Sequence, residues 1–185
     1  MKTWITGGRV IDPRNHIDSK LNVVLEGGKV VALTMDAPDS GDRIIHAENR
    51  VVCPGFLDIH MHEAPLVDLS DIEGSILGNM LRMGVTTALG GNCGENVLPP
   101  KEYFQRVEGR LPIYLALLAG HGAAREAAGY TDRYQSLAPE QVHRVTDILK
   151  SWLEDGCFGI SYGIRYYPGT TREELLETAQ LCQKD

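Results

Sequence analysis

Beyond Pro54-Gly55 the chain changes its hydrophobic period repeatedly, from short apolar runs to apolar residues at helical spacing and back. No other feature limits the fold as strongly, because strands alternating with helices are the pattern of parallel βαβ units. The first run, VVCPGFLDIHMH (residues 51–62), ends in two histidines. The second is VTTALGG running into NCG, the third LPIYLALLAG running into HG, and the fourth CFGISYGI. Each is continuously apolar, as expected of strands buried on both faces.

Helices are predicted between and after these runs. Ser70 and Glu73 form a capping-box pair ahead of Ile72, Ile76, Leu77, Met80 and Leu81, and Gly84 marks the stop. A short helix is expected near PPKEYFQRVEG. A longer one from Pro139 to Asp155 turns Val142, Val145, Ile148, Leu149, Trp152 and Leu153 inward. His143 shares its other face with Asp147, Lys150 and Glu154 and reads as solvated. Thr171 and Glu174 open a last helix that is expected to run to Asp185.

Residues 1–52 follow a different plan. TWITGGRVID, LNVVLEGGKVVALT and DRIIHAENRVV read as short strands, with Gly27-Gly28 a hairpin signal. They suggest a small antiparallel β domain, sandwich-like and incomplete, in which His46 is structural or exposed. Residues 53–185 then hold about four βα units. A (β/α)₈ barrel has eight and needs roughly 250 residues. The expected fold is therefore α/β, the N-terminal half of such a barrel behind a small β domain.

Composition narrows the setting. A formal net charge of −7 argues against general affinity for nucleic acid or anionic membrane. No run approaches the ~18 apolar residues of a membrane span. The N-terminus MKTWITGGRVID lacks the apolar core of a signal peptide, so a cytoplasmic location is expected. Cys53, Cys93, Cys157 and Cys182 form no CxxC pair, and each is judged alone.

Chemistry-bearing residues gather at the ends of the apolar runs. His60 and His62 are two apart, so in an extended chain they point the same way and can grip one metal ion. Neutral imidazole suits zinc, iron or nickel alike. Asp58, two residues before His60, is a candidate to steady a ligand, or simply a turn residue. Cys93, among Gly90, Gly91 and Gly94, reads as a core thiol, a nucleophile or a metal-binding thiolate. His121 and Arg125 follow the third run; Tyr162, Arg165 and Tyr166 follow the fourth.

PGFLDIHMH resembles the PGFxDxHxH signature of the amidohydrolase superfamily. GVTTALGGNCG, GHGAAR and EDGCFGISYGIRYYPG together resemble its N-acyl-D-amino-acid deacylase (D-aminoacylase) branch, in its N-terminal portion. The resemblance implies a zinc enzyme, with one or two ions and other divalent metals possible, that hydrolyses the amide of a small N-acyl-D-amino acid. It implies that His60, His62 and Cys93 are metal ligands. Hydantoinases and dihydroorotases use a carboxylated lysine on the fourth strand instead, and CFGISYGI has none. His121 and Tyr166 become candidate substrate contacts, and Arg125 a partner for a substrate carboxylate or a surface ion pair. Two more metal-binding histidines and an aspartate general acid/base are expected beyond Asp185. The isolated chain is therefore expected to be incompetent, and to associate with a missing C-terminal half or with itself. Other amidohydrolase chemistry (cyclic-amide hydrolysis or deamination) and a non-catalytic fragment or scaffold remain alternatives.

Overall fold

A computed structural model describes residues 1–63 and 75–183. The chain is mixed α/β and divides into two compact units, Met1–Gly55 and Phe56–Asp185. The capping box at Ser70 and Glu73 lies outside the described residues.

The first unit contains only strands and one short 3-10 turn. Strands β1 (Thr3–Thr6), β4 (Asn22–Glu26), β5 (Lys29–Thr34) and β6 (Arg43–His46) form a sheet in the order β5-β4-β1-β6. Strands β2 (Arg9–Asp12), β3 (Ile17–Lys20) and β7 (Val51–Val52) form a second in the order β3-β2-β7. The hairpin at Gly27-Gly28 is present, with Glu26 opposite Lys29 and both glycines at positive φ (58° and 76°). That is the two-residue turn whose twist matches the strands it joins. The pairing is not purely antiparallel, however. β1 runs parallel to β6, and β2 parallel to β7. Their connections are longer than a hairpin and return the chain in the same direction, which a reading based on local turns does not detect. His46 is exposed on β6, with Nδ1 3.3 Å from Glu48.

The second unit is built on parallel pairs. β8 (Phe56–Asp58), β9 (Val85–Gly90) and β10 (Tyr114–Leu117) form a sheet in the order β10-β9-β8, both pairs parallel. β11 (Ala119–Gly120) and β12 (Ile160–Ser161) form a second parallel pair. The first apolar run is thus split at Pro54-Gly55: Val51–Val52 belong to the first unit, and β8 starts the second. The third run is also split, at Leu118, whose N–H bonds Gly90 O (2.9 Å).

Helices connect the strands. α1 (Ile76–Arg82) is capped by Ser75 Oγ accepting from Gly78 N–H (3.2 Å). Leu77 and Met80 pack it on Val85, Ala88 and Ile113. α2 (Pro100–Val107) and α4 (Pro139–Glu154) share the larger core with Leu117 and Ala119, through Tyr103, Val107, Val142, Val145, Leu149 and Trp152. Burying each such side chain contributes about 1.5–3 kcal/mol. α5 (Arg172–Ala179) starts at its Thr171 cap but ends in a 3-10 turn, Gln180–Cys182, well short of Asp185.

Two features depart from expectation. A helix, α3 (His121–Ala127), follows β11 at once. Its residues, HGAAREA, have no apolar stripe and announce themselves only through alanine's high helix propensity. The strands are also not covered on both faces: Phe56, Leu57 and Ile59 are 59, 64 and 65% exposed, and Tyr114 and Phe158 stand open as well.

Candidate metal centre

β8 ends at Asp58, and the backbone bends before the histidines. Asp58 Oδ1 accepts the N–H of His60 (2.9 Å), so this carboxylate caps the main chain and not an imidazole. Met61 N–H still reaches Leu89 O (3.3 Å), which keeps the extended path beside β9. Alternation then sorts the side chains: His60 and His62 are exposed, while Met61 and Glu63 are buried. The two imidazole rings meet edge to face, with centroids 5.8 Å apart.

Cys93 reaches them from a tight turn at the end of β9. Its own backbone is left-handed (φ 59°, ψ 20°), between Gly91 and Gly94, which are also at positive φ. For a residue with a Cβ this conformation costs on the order of 1 kcal/mol or more, and such strain gathers at functional sites. The turn is held by Asn92, whose Nδ2 donates to Met61 O (3.2 Å) and Leu89 O (2.8 Å). Gly94 N–H donates to Ser161 Oγ (3.1 Å). Gly163, after β12, packs so closely on the Cys93 carbonyl that a Cβ there would overlap it.

The result is a cluster in which one ligand atom from each of His60, His62 and Cys93 lies within 4.8 Å of the others. Cys93 Sγ is 3.8 Å from His60 Nε2. Zinc–sulfur and zinc–nitrogen bonds meeting at a tetrahedral angle separate their ends by about 3.6 Å, so the spacing and the donor set both fit zinc.

The remaining candidates sit apart. His121 is 1% exposed, with Nε2 2.9 Å from Glu174 Oε1 and its ring tilted against Tyr162. Arg125 is neither at the surface nor open to a ligand. It is fully buried, 3.5 Å from the same Glu174 oxygen, and bonded to Thr170 Oγ1 and Gln135 O. Among the described residues, Glu174 Oε2 and Arg125 Nε have no hydrogen-bond partner. Tyr166 is half exposed, its ring edge beside Gly163 and hence next to the Cys93 turn. Arg165 is exposed, and Tyr162 donates to or accepts from Thr178 (3.0 Å). His143 is exposed, yet it is not simply solvated: its Nδ1 lies 2.6 Å from Glu177 on α5. That contact holds its imidazolium form, raising its pKa.

A cavity of about 420 Å³ opens beside His62, lined among others by Glu63, Asn96, Arg133 and Tyr167. The Arg133 guanidinium lies 5.0 Å over the Tyr167 ring, and Tyr167 donates to Glu126 (2.7 Å). Burial and Glu126 push the Tyr167 phenol up to about 12. A larger cavity, about 900 Å³, is lined by Thr86, Tyr114 and α2 at the amino ends of the strands and is lined by none of His60, His62 and Cys93. No motif points to Glu63 or Asn96; only alternation, which turns Glu63 inward after His62, signals a role for it.

No family model matches the chain. It is 30% identical to the N-acyl-D-glutamate deacylase of Alcaligenes xylosoxydans xylosoxydans over 92% of its length, and 25% identical to the D-aminoacylase of the same organism over 97%. The chain is a relative of the N-acyl-D-amino-acid deacylases. It spans 38% and 41% of those two proteins' lengths. The N-acyl-D-glutamate deacylase of Bordetella bronchiseptica, solved with zinc and a phosphonate mimic of the tetrahedral intermediate, superimposes with a TM-score of 0.83 at 25% identity. That match covers 97% of this chain and 42% of the solved one.

Proposed function

We propose that this chain carries the first half of an amidohydrolase barrel whose reaction is hydrolysis of an N-acyl-D-amino acid to a carboxylate and a free D-amino acid. The observation that carries the reading is the convergence of His60, His62 and Cys93 at the carboxyl ends of parallel strands. Sites of (β/α)₈ enzymes lie at that end. The deacylase relatives and the absence of lysine from residues 157–163 favour a cysteine-ligated centre over a carboxylated-lysine one.

His60, His62 and Cys93 would hold zinc, which when bound supplies a Lewis acid for the amide carbonyl and lowers the pKa of a bound water toward ~7. The chain's own residues do the rest of the local work. Asp58 fixes the main chain at His60, and Asn92 and Ser161 fix the Cys93 turn. Tyr166 stands beside that turn as a candidate wall for substrate. The cavity next to His62 falls within the usual size range of small-molecule sites, ~300–1,000 Å³. His121, closed under Glu174, would tie α3 to α5. An aspartate general acid/base and two further histidines would come from outside these 185 residues. The exposed apolar face of β8 supports association with such a complementary half, or with a second copy. Among the described residues no helix is long and apolar enough to cross a membrane. The four free cysteines suit a reducing compartment such as the cytoplasm.

Metal analysis of the purified chain, combined with a panel of N-acyl-D-amino acids, tests this. Zinc bound through Cys93 without turnover by the chain alone is the expected result. Normal deacylase turnover by a purified monomer would refute the proposed incompetence. Zinc content unchanged by Cys93→Ala would refute the ligand set.

A further inference from the structure

The three ligand atoms owe their closeness in part to two side chains outside the trio. Glu63 directly follows His62 and is buried. Its Oε2 accepts the N–H of Gly91 (2.7 Å), and its Oε1 accepts from Asn96 Nδ2 (3.1 Å). Asn96 Nδ2 also donates to Leu118 O (3.1 Å), while Asn96 Oδ1 accepts the N–H of Gly120 (2.7 Å). One carboxylate and one amide thus tie together the segment bearing His60 and His62, the turn bearing Cys93, and the start of β11. Among the described residues no ion pair reaches Glu63, and its two carboxyl oxygens are met by these N–H groups. Gly91, to which Glu63 is bonded, has no slack: a Cβ there would overlap Leu118 O. Cys93, two residues further on, has a left-handed backbone of its own (φ 59°).

We propose that Glu63 and Asn96 are a positioning pair for the metal centre, which sets how tightly His60, His62 and Cys93 hold zinc. This rests on the zinc reading above. The pair is matched in donor and acceptor, and that matching is open to test. A glutamine at 63 can still accept from Gly91, but its Nε2 then faces Asn96 Nδ2, donor against donor. Turning Asn96 over to relieve this forfeits the Gly120 N–H. An aspartate at 96 keeps that acceptor but sets two carboxylates against each other. Together, a glutamine at 63 and an aspartate at 96 are complementary again to each other, to Gly91 and to Gly120, with the Leu118 O contact alone lost, and the total charge is that of the parent.

The experiment is zinc affinity by competition with a chromophoric chelator, for the full chain and for Glu63→Gln, Asn96→Asp and the double variant. The cobalt(II)–thiolate charge-transfer band of the same proteins reports Cys93 ligation, and melting of the metal-free forms reports folding. Each single variant is expected to bind zinc about 10- to 100-fold more weakly, as disruption of groups that orient ligands does elsewhere. Each should also show a weaker cobalt–thiolate band, and the double variant should recover part of both, short of the parent by the lost Leu118 contact. Glu140→Gln, at the first turn of α4, should change neither. Single variants that melt earlier yet bind zinc as tightly as the parent would reduce the pair to a structural role and overturn the proposal. A double variant no better than the singles would overturn it too. If Glu63→Gln fails to fold, Asn96→Asp set against the double variant decides between the same two outcomes. A parent chain that takes up no zinc brings down the zinc reading itself, a result distinct from failure of the pair.

Discussion

His60 and His62 leave the end of β8 with exposed rings and, among the described residues, only the thiol of Cys93 in polar contact at 3.8 Å. His121 leaves the end of β11 in a comparable place in the chain, yet it is closed off by Glu174 and Tyr162, with Arg125 on the same carboxylate. The first cluster is held by bonds to its main chain, which leaves the ring nitrogens unspent. The second spends its side chains on each other. Position at a strand end is therefore not enough to leave a histidine ring available to a metal. What distinguishes the two is where the surrounding hydrogen bonds go.

The sharpest way to break this contrast is to remove a member of each cluster. Cys93→Ala should weaken zinc binding by roughly a thousand-fold, since one of three ligands in a site whose total is on the order of 12 kcal/mol is worth about 4. Equilibrium dialysis would read this, and unchanged binding would end the comparison. Arg125→Met should do the reverse, costing about 3–5 kcal/mol of stability by leaving Glu174 buried without its guanidinium. Urea denaturation measures that cost, while zinc affinity of the folded fraction stays at the parent value. If Arg125→Met also loosened zinc, the two clusters would be one system.

A smaller effect is expected from Cys93→Gly. Glycine accepts a φ of 59° freely, so the metal-free protein should gain about 1 kcal/mol while its zinc site is lost. A metal-free protein no more stable than the parent would show that the turn is unstrained.

The smallest effect belongs to a fourth histidine. His143 has its pKa raised by Glu177, so the folded state binds its proton more tightly than the unfolded chain does. The stabilisation is full below the ordinary value near 6.5 and disappears as pH rises through the raised one. Denaturation midpoints of parent and His143→Gln should therefore differ at pH 5.5 and coincide at pH 9. A difference that grew with pH would contradict the assignment.

How much of this was legible depended on whether the signal was local. The βα order, the α4 stripe of Val142, Val145 and Leu149, and the Thr171 cap all follow from periodicity and short-range hydrogen bonding. The facing of His60 and His62 follows from alternation alone. Burial of Arg125 does not, because its partners Glu174, Thr170 and Gln135 are distant in sequence, and an arginine in an alanine-rich stretch reads as solvent-facing. The parallel pairing of β1 with β6 and the Glu63–Asn96 link are invisible for the same reason: each joins segments more than 30 residues apart. Helix α3 escapes a search for periodicity because HGAAREA buries itself through small residues and carries no stripe.

The left-handed backbone at residue 93 has a consequence for how such chains drift. A single codon change from cysteine to glycine would ease the turn, so selection acting on stability alone would erase the thiol. A cysteine kept at that place therefore points to a demand other than stability, and a metal to hold is the demand proposed here.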